Sequence, residues 1–290
     1  MMKYLESELI LNPDGSVYHL NLLPEDIGTT IITVGDMDRI DDVVCHFDRI
    51  DLRKRKREFA TVTGWIGNKR FTCISTGIGT DNIDIVINEL DALVNIDLKT
   101  REEKQDKKVL DIIRIGTSGS IQADIPIDSI LVSEYAIGMD GLLLFYNYAK
   151  TNEIIDFEND FKRYIEQNHL EILPAYIAKG SVELVEKFSK FAIKGTTLTH
   201  TGFYAPQGRK IRFELAKPSF IDKLSQYQYG GQRITNFEME TAGIYGLGGL
   251  LGHRCCAVNA IVANRALGVF SKDMKKTVDR AIKSSLEQLL

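Results

Sequence analysis

Thiol ligands are scarce in this chain: four cysteines among 290 residues, at Cys45, Cys73, Cys255 and Cys256, show none of the paired spacings that hold zinc. The adjacent Cys255 and Cys256 sit in an apolar segment and read as reduced core thiols, which sets sulfur-based metal and redox chemistry aside. Excess positive charge is missing too. With 36 Lys and Arg against 40 Asp and Glu, the formal net charge is −4, so there is no general pull toward nucleic acid or an anionic membrane, and any arginine cluster should serve a local anion. No apolar run approaches the roughly 20 residues that span a bilayer. The start, Met1 to Ile10, is too acidic and interrupted for a signal peptide, so a cytoplasmic protein is expected. Internal repeats, low-complexity tracts and proline-rich linkers are absent, and the length suffices for a substantial core. One domain over residues 1–290 follows as the expectation.

What is present is a recurring order of apolar run, glycine and helical pattern, the signature of an α/β sheet protein. Thr30 to Val34 is the first such run, followed by Gly35-Asp36, with Asp36 placed to cap a helix carrying Ile40, Val43, Val44 and Phe47. Phe71 to Ser75 leads through Gly77-Ile78-Gly79 into a helix with Ile83, Val86, Ile87, Leu90 and Leu93 on one side. Val109 to Ile115, rich in β-branched residues, predicts a buried strand, and Ser129 to Tyr135 another. Between them, the charged run Lys99 to Lys108 reads as a solvated insertion or helix end. Further on, Ile154 to Leu170 mixes charge and aromatics at irregular spacing, and Ser181 to Phe191 reads as an amphipathic helix. Ile193 to Thr201 reads as a strand, Met239 to Leu251 as a tightly packed central helix, Arg254 to Ala263 as a buried strand and Lys272 to Leu290 as a closing helix.

Chemistry concentrates where these predicted strands end, which is where open α/β sheets bind ligands. Arg114-Ile115-Gly116-Thr117-Ser118-Gly119 sets an arginine on a strand and follows it with small residues whose N–H groups and hydroxyls could converge on an anion. An ordinary strand-to-turn corner is the competing reading. Asp36-Met37-Asp38-Arg39 follows the first strand and Arg57-Glu58-Phe59 closes a basic stretch from Arg53; taken singly, both arginines also suit solvated positions. Phe237-Glu238-Met239-Glu240 offers carboxylates for sugar hydroxyls with a thioether to pack beneath, or simply an acidic helix start. Gln207 and Arg209, beyond Phe203-Tyr204, can read a planar group with adjacent carbonyl and N–H edges while Phe203 stacks on it; alone they would pass for a surface loop. His19 stands ahead of the first strand, structural by default, and His46, His169, His200 and His253 show no ligand spacing.

Together these segments resemble the nucleoside phosphorylases of the uridine phosphorylase type over nearly the whole chain. Val34 to Arg39 is similar to that family's Pro-Gly-Asp-Pro-x-Arg, Arg57-Glu58-Phe59 to its Arg-Glu-Phe, and Ser75 to Gly79 to its Ser-Thr-Gly-Ile-Gly. Arg114 to Gly119 matches its Arg-Ile-Gly-Thr-x-Gly, Phe203 to Arg209 its base-reading motif, and Glu238-Met239-Glu240 its ribose motif. The resemblance implies an α/β fold with a central mixed, twisted sheet in a distorted barrel flanked by helices. It implies that Gly35, Arg39, Arg114 and Thr117 bind phosphate, with Arg57 reaching in from a neighbouring subunit. His19 would likewise come from the neighbour, to the ribose 5′-hydroxyl. Met239 and Glu240 would hold ribose, and Phe203, Gln207 and Arg209 the base, with Arg114, Gln207, Arg209 and Glu240 as the catalytic set. The implied assembly is a homohexamer of three dimers, or a homodimer. No organic cofactor is implied, only inorganic phosphate as co-substrate; the family's potassium site, built from the equivalents of Glu58, Ile78 and a serine, has Asn82 at the serine position and is left open.

The implied reaction is reversible phosphorolysis of uridine, with deoxyuridine or thymidine also possible, in pyrimidine nucleoside salvage. Purine-cleaving relatives place an aspartate after the last central strand, whereas Val262-Ala263-Asn264-Arg265 offers Asn264, an amide that cannot protonate a leaving purine. The rivals are a purine phosphorylase or nucleosidase on the same fold and a nucleoside-binding protein without catalysis. The Lys210 to Gly231 segment departs from the family pattern, which leaves pocket size open.

Overall fold

The computed structural model describes residues 3–290. Its first strand, β1 (Thr30–Val34), is buried at all five positions, as a β-branched run in the middle of a parallel sheet should be. It leads into α1 (Arg39–Val44), which has Asp38 rather than Asp36 at its N-cap; the Asp36 carboxylate instead accepts the Asp38 N–H and shapes the turn. The basic stretch after α1 is a strand, β2 (Arg49–Lys56), paired antiparallel with β3 (Phe59–Ile66). Arg57 sits in the turn between them at φ 56°. Strand β4 (Lys69–Ser75) feeds α2 (Thr80–Asn95), whose Ile83, Val86, Ile87, Leu90 and Leu93 are all buried.

The Lys99 to Lys108 run is a small structure of its own. Here β5 (Ile96–Asp97) and β6 (Glu102–Glu103) form an antiparallel pair, Lys104 Nζ donates to the Val94 carbonyl near the end of α2 (3.1 Å), and the backbone at Glu102 makes an isolated antiparallel β-bridge with Lys3. Strand β7 (Asp111–Ser120) overturns the loop expected after Ile115, since it runs straight through Gly116-Thr117-Ser118-Gly119. The reason is long-range pairing: the last central strand lies along β7 from Asp111 to Ser120 and keeps it extended past both glycines.

Strand β8 (Ile130–Met139) outruns its expected end at Tyr135. The irregular Ile154 to Leu170 segment lies mostly in a helix, α3 (Asn152–Gln167), capped by Thr151 and burying Ile154, Phe157, Phe161 and Ile165 at spacings of three and four. Then follow β9 (Tyr176–Lys179), α4 (Val182–Phe188), shorter than Ser181 to Phe191, and β10 (Ile193–His200). Helix α5 (Phe220–Leu224), β11 (Gln228–Tyr229), β12 (Gln232–Glu238), α6 (Thr241–Leu250), β13 (Arg254–Asn264), β14 (Val269–Phe270) and α7 (Met274–Leu289) complete the chain.

The order β12-β10-β8-β13-β7 returns to β12 through Gly119 and Ser120, which closes five strands into a barrel. From β7 the sheet continues through β1, β4 and β3 to β2. The sheet is mixed, with β7 antiparallel to β12 and parallel to β1 and β13. On one side α2 and α6 pack over Ile31 and Ile112; on the other, α1, α4 and α7 cover Ile32 and Ile113. Helix α6 can lie this close only because of its small residues: a Cβ on Gly248 would stand 2.1 Å from Cys255 Sγ. Among the described residues, no helix is long and apolar enough to cross a membrane.

Candidate active site

A cavity of about 770 Å³ opens where several strands end, within the range of small-molecule sites. The end of β1 contributes Gly35 and Arg39, β7 contributes Arg114 and Thr117, and the loop after β10 contributes Phe203, Gln207 and Arg209. The junction of β12 with α6 adds Glu238, Met239 and Glu240.

At its floor lies Arg114, buried, with Nη2 bonded to Glu240 and 3.5 Å from Glu238 Oε2, and Nη1 3.3 Å from Asn259 Oδ1. Gly116 is the reason the guanidinium fits: a Cβ there would stand 1.6 Å from Arg114 Nη1. That replaces the anion-cradling loop expected from these glycines. Ser118 is likewise committed, donating to the Phe237 carbonyl (2.7 Å) and accepting from Asn236 Nδ2 (2.7 Å), so its hydroxyl is spent inside the barrel. Asn259 extends this interior chain, donating to Ser133 Oγ, which bonds Thr197 Oγ1 at 2.6 Å. Nothing local in the sequence marks Asn259, one polar residue within a buried strand.

The carboxylates are held as firmly. Glu238 accepts the Thr199 hydroxyl (2.6 Å) and the N–H groups of Glu240 and Thr241 at the start of α6, where the helix dipole favours negative charge. Burial raises its pKa, and Glu240 beside it adds to the rise while Arg114 opposes it. Glu240 accepts the Gly79 N–H at 2.8 Å, which links the β4–α2 turn to the β12–α6 junction. Burial works against the charge of Arg114, but Glu240 and Glu238 more than offset it and hold its pKa above the ordinary value. Arg39 is offset less fully: burial and then the like charge of Arg114 lower its pKa, and the opposing pull of Asp36, Asp42 and Glu240 does not restore it. Two crowded arginines at the cavity floor favour an anion between them.

On the opposite wall Arg209 lies 3.7 Å over the Phe203 ring and donates to Gln207 Oε1 (2.7 Å) and to the Phe203 carbonyl. This stacking occupies one face of the ring expected to take the base. Arg265 grips the same loop from β13's end, donating to the Gln207 carbonyl at 3.0 Å. Burial first, then Arg265, pushes Arg209 down to about 10, still a cation at neutral pH but one short of negative partners. Asn264 turns out of the cavity, its amide spent on the Gln122 and Ile125 carbonyls (2.9 Å each).

His19 and Arg57 are not brought to this cavity. They stand together elsewhere, both beside the Tyr18 ring, with His19 Nδ1 2.6 Å from Glu89 Oε1. Glu58, Ile78 and Asn82 do meet at the cavity rim, yet Asn82 presents Nδ2 to Gly77, 2.4 Å from where a Cβ would be. The Asn82 amide also carries an oxygen, the atom that would have to face a cation at this rim.

A closed mixed barrel whose strand ends gather arginines, two buried carboxylates and a glutamine–arginine loop defines a site for an anion and a hydroxylated, planar partner. Residues 29–289 match the model of the Phosphorylase superfamily, and the chain belongs to that superfamily. It is 26% identical over 277 residues to a uridine phosphorylase of Thermococcus kodakarensis, covering 94% of this chain and 87% of that one. It is 25% identical over 282 residues to the uridine phosphorylase of Escherichia coli, covering 93% and 96%. Among solved structures, a Trypanosoma brucei nucleoside phosphorylase described as showing uridine phosphorylase activity superposes with a TM-score of 0.88 at 28% identity, covering 97% of this chain and 99% of its own.

Proposed function

We propose that this chain is a pentosyltransferase that cleaves uridine reversibly with phosphate, giving uracil and ribose 1-phosphate. The observation that carries the reading is the Arg114–Glu240 pair on the cavity floor facing the Gln207–Arg209 pair on its wall. In this reading phosphate sits against Gly35, Arg39, Arg114 and Thr117, and the sugar hydroxyls donate to Glu240 above Met239. A phosphate oxygen attacks C1′ as the C1′–N1 bond breaks, and the electron pair passes to the uracil ring. Arg209 and the Gln207 amide meet the charge that spreads onto its carbonyls, each such donor contributing about 2–4 kcal/mol to the transition state. Holding phosphate in line supplies the nucleophile without activating water.

A second copy of the chain completes the site by bringing its Arg57 to the phosphate and its His19 to the ribose; neither side chain lines its own cavity, and the two stand side by side at Tyr18. The unit of activity is then at least a dimer, alone or as three dimers in a hexamer. The purine reading is disfavoured by Asn264, which carries no proton to give and faces away from the cavity.

Ultraviolet-monitored cleavage of uridine, thymidine and inosine, each with and without phosphate, tests this directly. Phosphate-dependent uracil release with little from inosine is expected. Release without phosphate would mean a nucleosidase, and tight uridine binding without release a binding protein.

Gly116→Ala probes the floor alone. The backbone there is not in the left-handed region, so the strand tolerates the change, but the added methyl displaces the Arg114 guanidinium. Phosphate KM is expected to rise by about tenfold or more, the loss of one charge-assisted contact, with a smaller rise in KM for uridine through Glu240, the partner of Arg114. Saturation kinetics in each substrate measure the difference.

A further inference from the structure

We propose that Glu89 is a positioning residue: it fixes the tautomer and angle of His19 so that the free Nε2 accepts a hydrogen bond from the 5′-hydroxyl of the nucleoside bound by the neighbouring copy. This rests on the reading of the site given above, which supplies the contact between His19 and the sugar.

Glu89 lies on α2 and meets the chain at His19 with both oxygens. Oε1 takes the His19 N–H (3.0 Å) and His19 Nδ1 (2.6 Å), while Oε2 takes the Leu20 N–H (2.8 Å). An ionised carboxylate has no proton to give, so Nδ1 must carry the hydrogen, and in the neutral ring Nε2 is then a bare acceptor. The partner that suits it is a hydroxyl donor. Such support from behind is what fixes the orientation of functional imidazoles generally.

The rest of the segment leaves the ring as the last thing to be fixed. Val17 and Leu20 are fully buried on either side of the half-buried Tyr18 and His19, and Asn12 Nδ2 ties the turn by donating to the Val17 carbonyl at 2.8 Å. Lys56 Nζ bonds Asn12 Oδ1 (2.8 Å) and the Tyr18 carbonyl, which ties the β2–β3 turn bearing Arg57 to the segment bearing His19. Farther back, Tyr4 is anchored to the β5–β6 hairpin through the Arg101 carbonyl and Glu103 (2.9 Å each). The side chains of His19 and Glu89 are 27% and 14% exposed, accessible enough for the ring to reach a neighbour while the carboxylate stays sheltered.

The test compares kcat/KM for uridine with that for 5′-deoxyuridine, which lacks the donor. In His19→Ala the ratio is expected to fall about tenfold, the size of one hydrogen bond. Glu89→Ala should lower it by the same factor, and the double variant no further, since the two act as a unit. Glu89→Asp, which keeps the charge but draws the carboxylate back by one methylene from His19 Nδ1, carries the same expectation where the alanine variant does not fold. If His19→Ala lowers the ratio and the Glu89 variants do not, or if they slow both substrates equally, the positioning role is overturned. If His19→Ala itself leaves the ratio intact, the sugar contact beneath the proposal fails instead.

Discussion

Arg114→Ala is expected to cost at least two to three orders of magnitude in phosphate-dependent kcat/KM, the loss from removing one preorganised donor to a developing charge. The damage extends beyond the phosphate contact, because Arg114 is also the cation bonded between Glu240 and Glu238, both buried. Removing one partner of a buried ion pair leaves an uncompensated charge and costs about 3–5 kcal/mol. The two losses separate by pH. Burial already raises the Glu238 pKa, and without Arg114 one carboxylate takes up a proton on acidification, so the variant's stability deficit should be largest above pH 7 and shrink toward pH 5. Adding Glu240→Gln should return much of the stability and none of the activity. Denaturant melts at both pH values, beside kinetics, decide it; a deficit that does not change with pH would mean that the carboxylates do not depend on Arg114.

That dependence could be suspected from the sequence only as separate pieces. The runs that became β1, β7 and β13 were legible because buried central strands are written in β-branched residues, and α2 because five apolar residues recur at helical spacing. Strand β2 was not legible: six of its eight residues are charged, which is how an edge strand avoids pairing with other chains but also how a loop looks. The loop expected after Ile115 failed for a related reason. Glycines signal a turn only when nothing pairs with them, and here β13 runs alongside both.

Candidate site residues were readable where several chemical types fall directly after strands, as Arg39 and Glu240 do, because the fold carries strand ends to one rim. What could not be read is the support behind them. Asn259, Arg265 and Glu89 are each a single polar residue whose partner lies far along the chain, 145 residues away for Asn259 with Arg114 and 70 for Glu89 with His19. Periodicity carries no trace of such pairings.

His200 is the other group the sequence could not place, and it sets how the protein should respond to acid. It closes β10 with its ring buried between Phe220 and Phe237, and its Nε2 has no partner. Burial pushes its pKa down to about 4, against an ordinary value of 6.5. A group depressed in this way stabilises the fold fully above the unfolded value. As pH falls below 6.5 the unfolded chain takes up a proton that the folded one refuses, and stability drops by about 1.4 kcal/mol per unit until the ring itself titrates. The full loss approaches about 3 kcal/mol near pH 4. His200→Leu should remove that part of the slope, seen as one proton fewer taken up on unfolding between pH 6.5 and 4. Local opening should precede it, because the loop bearing Gln207 and Arg209 follows His200 directly and rests on α5, where a Cβ on Gly208 would stand 2.3 Å from Ile221. KM for uridine is therefore expected to rise on acidification sooner than KM for phosphate, and less so in the leucine variant. An unchanged pH slope of stability in His200→Leu would show that the ring is already solvated in the folded protein.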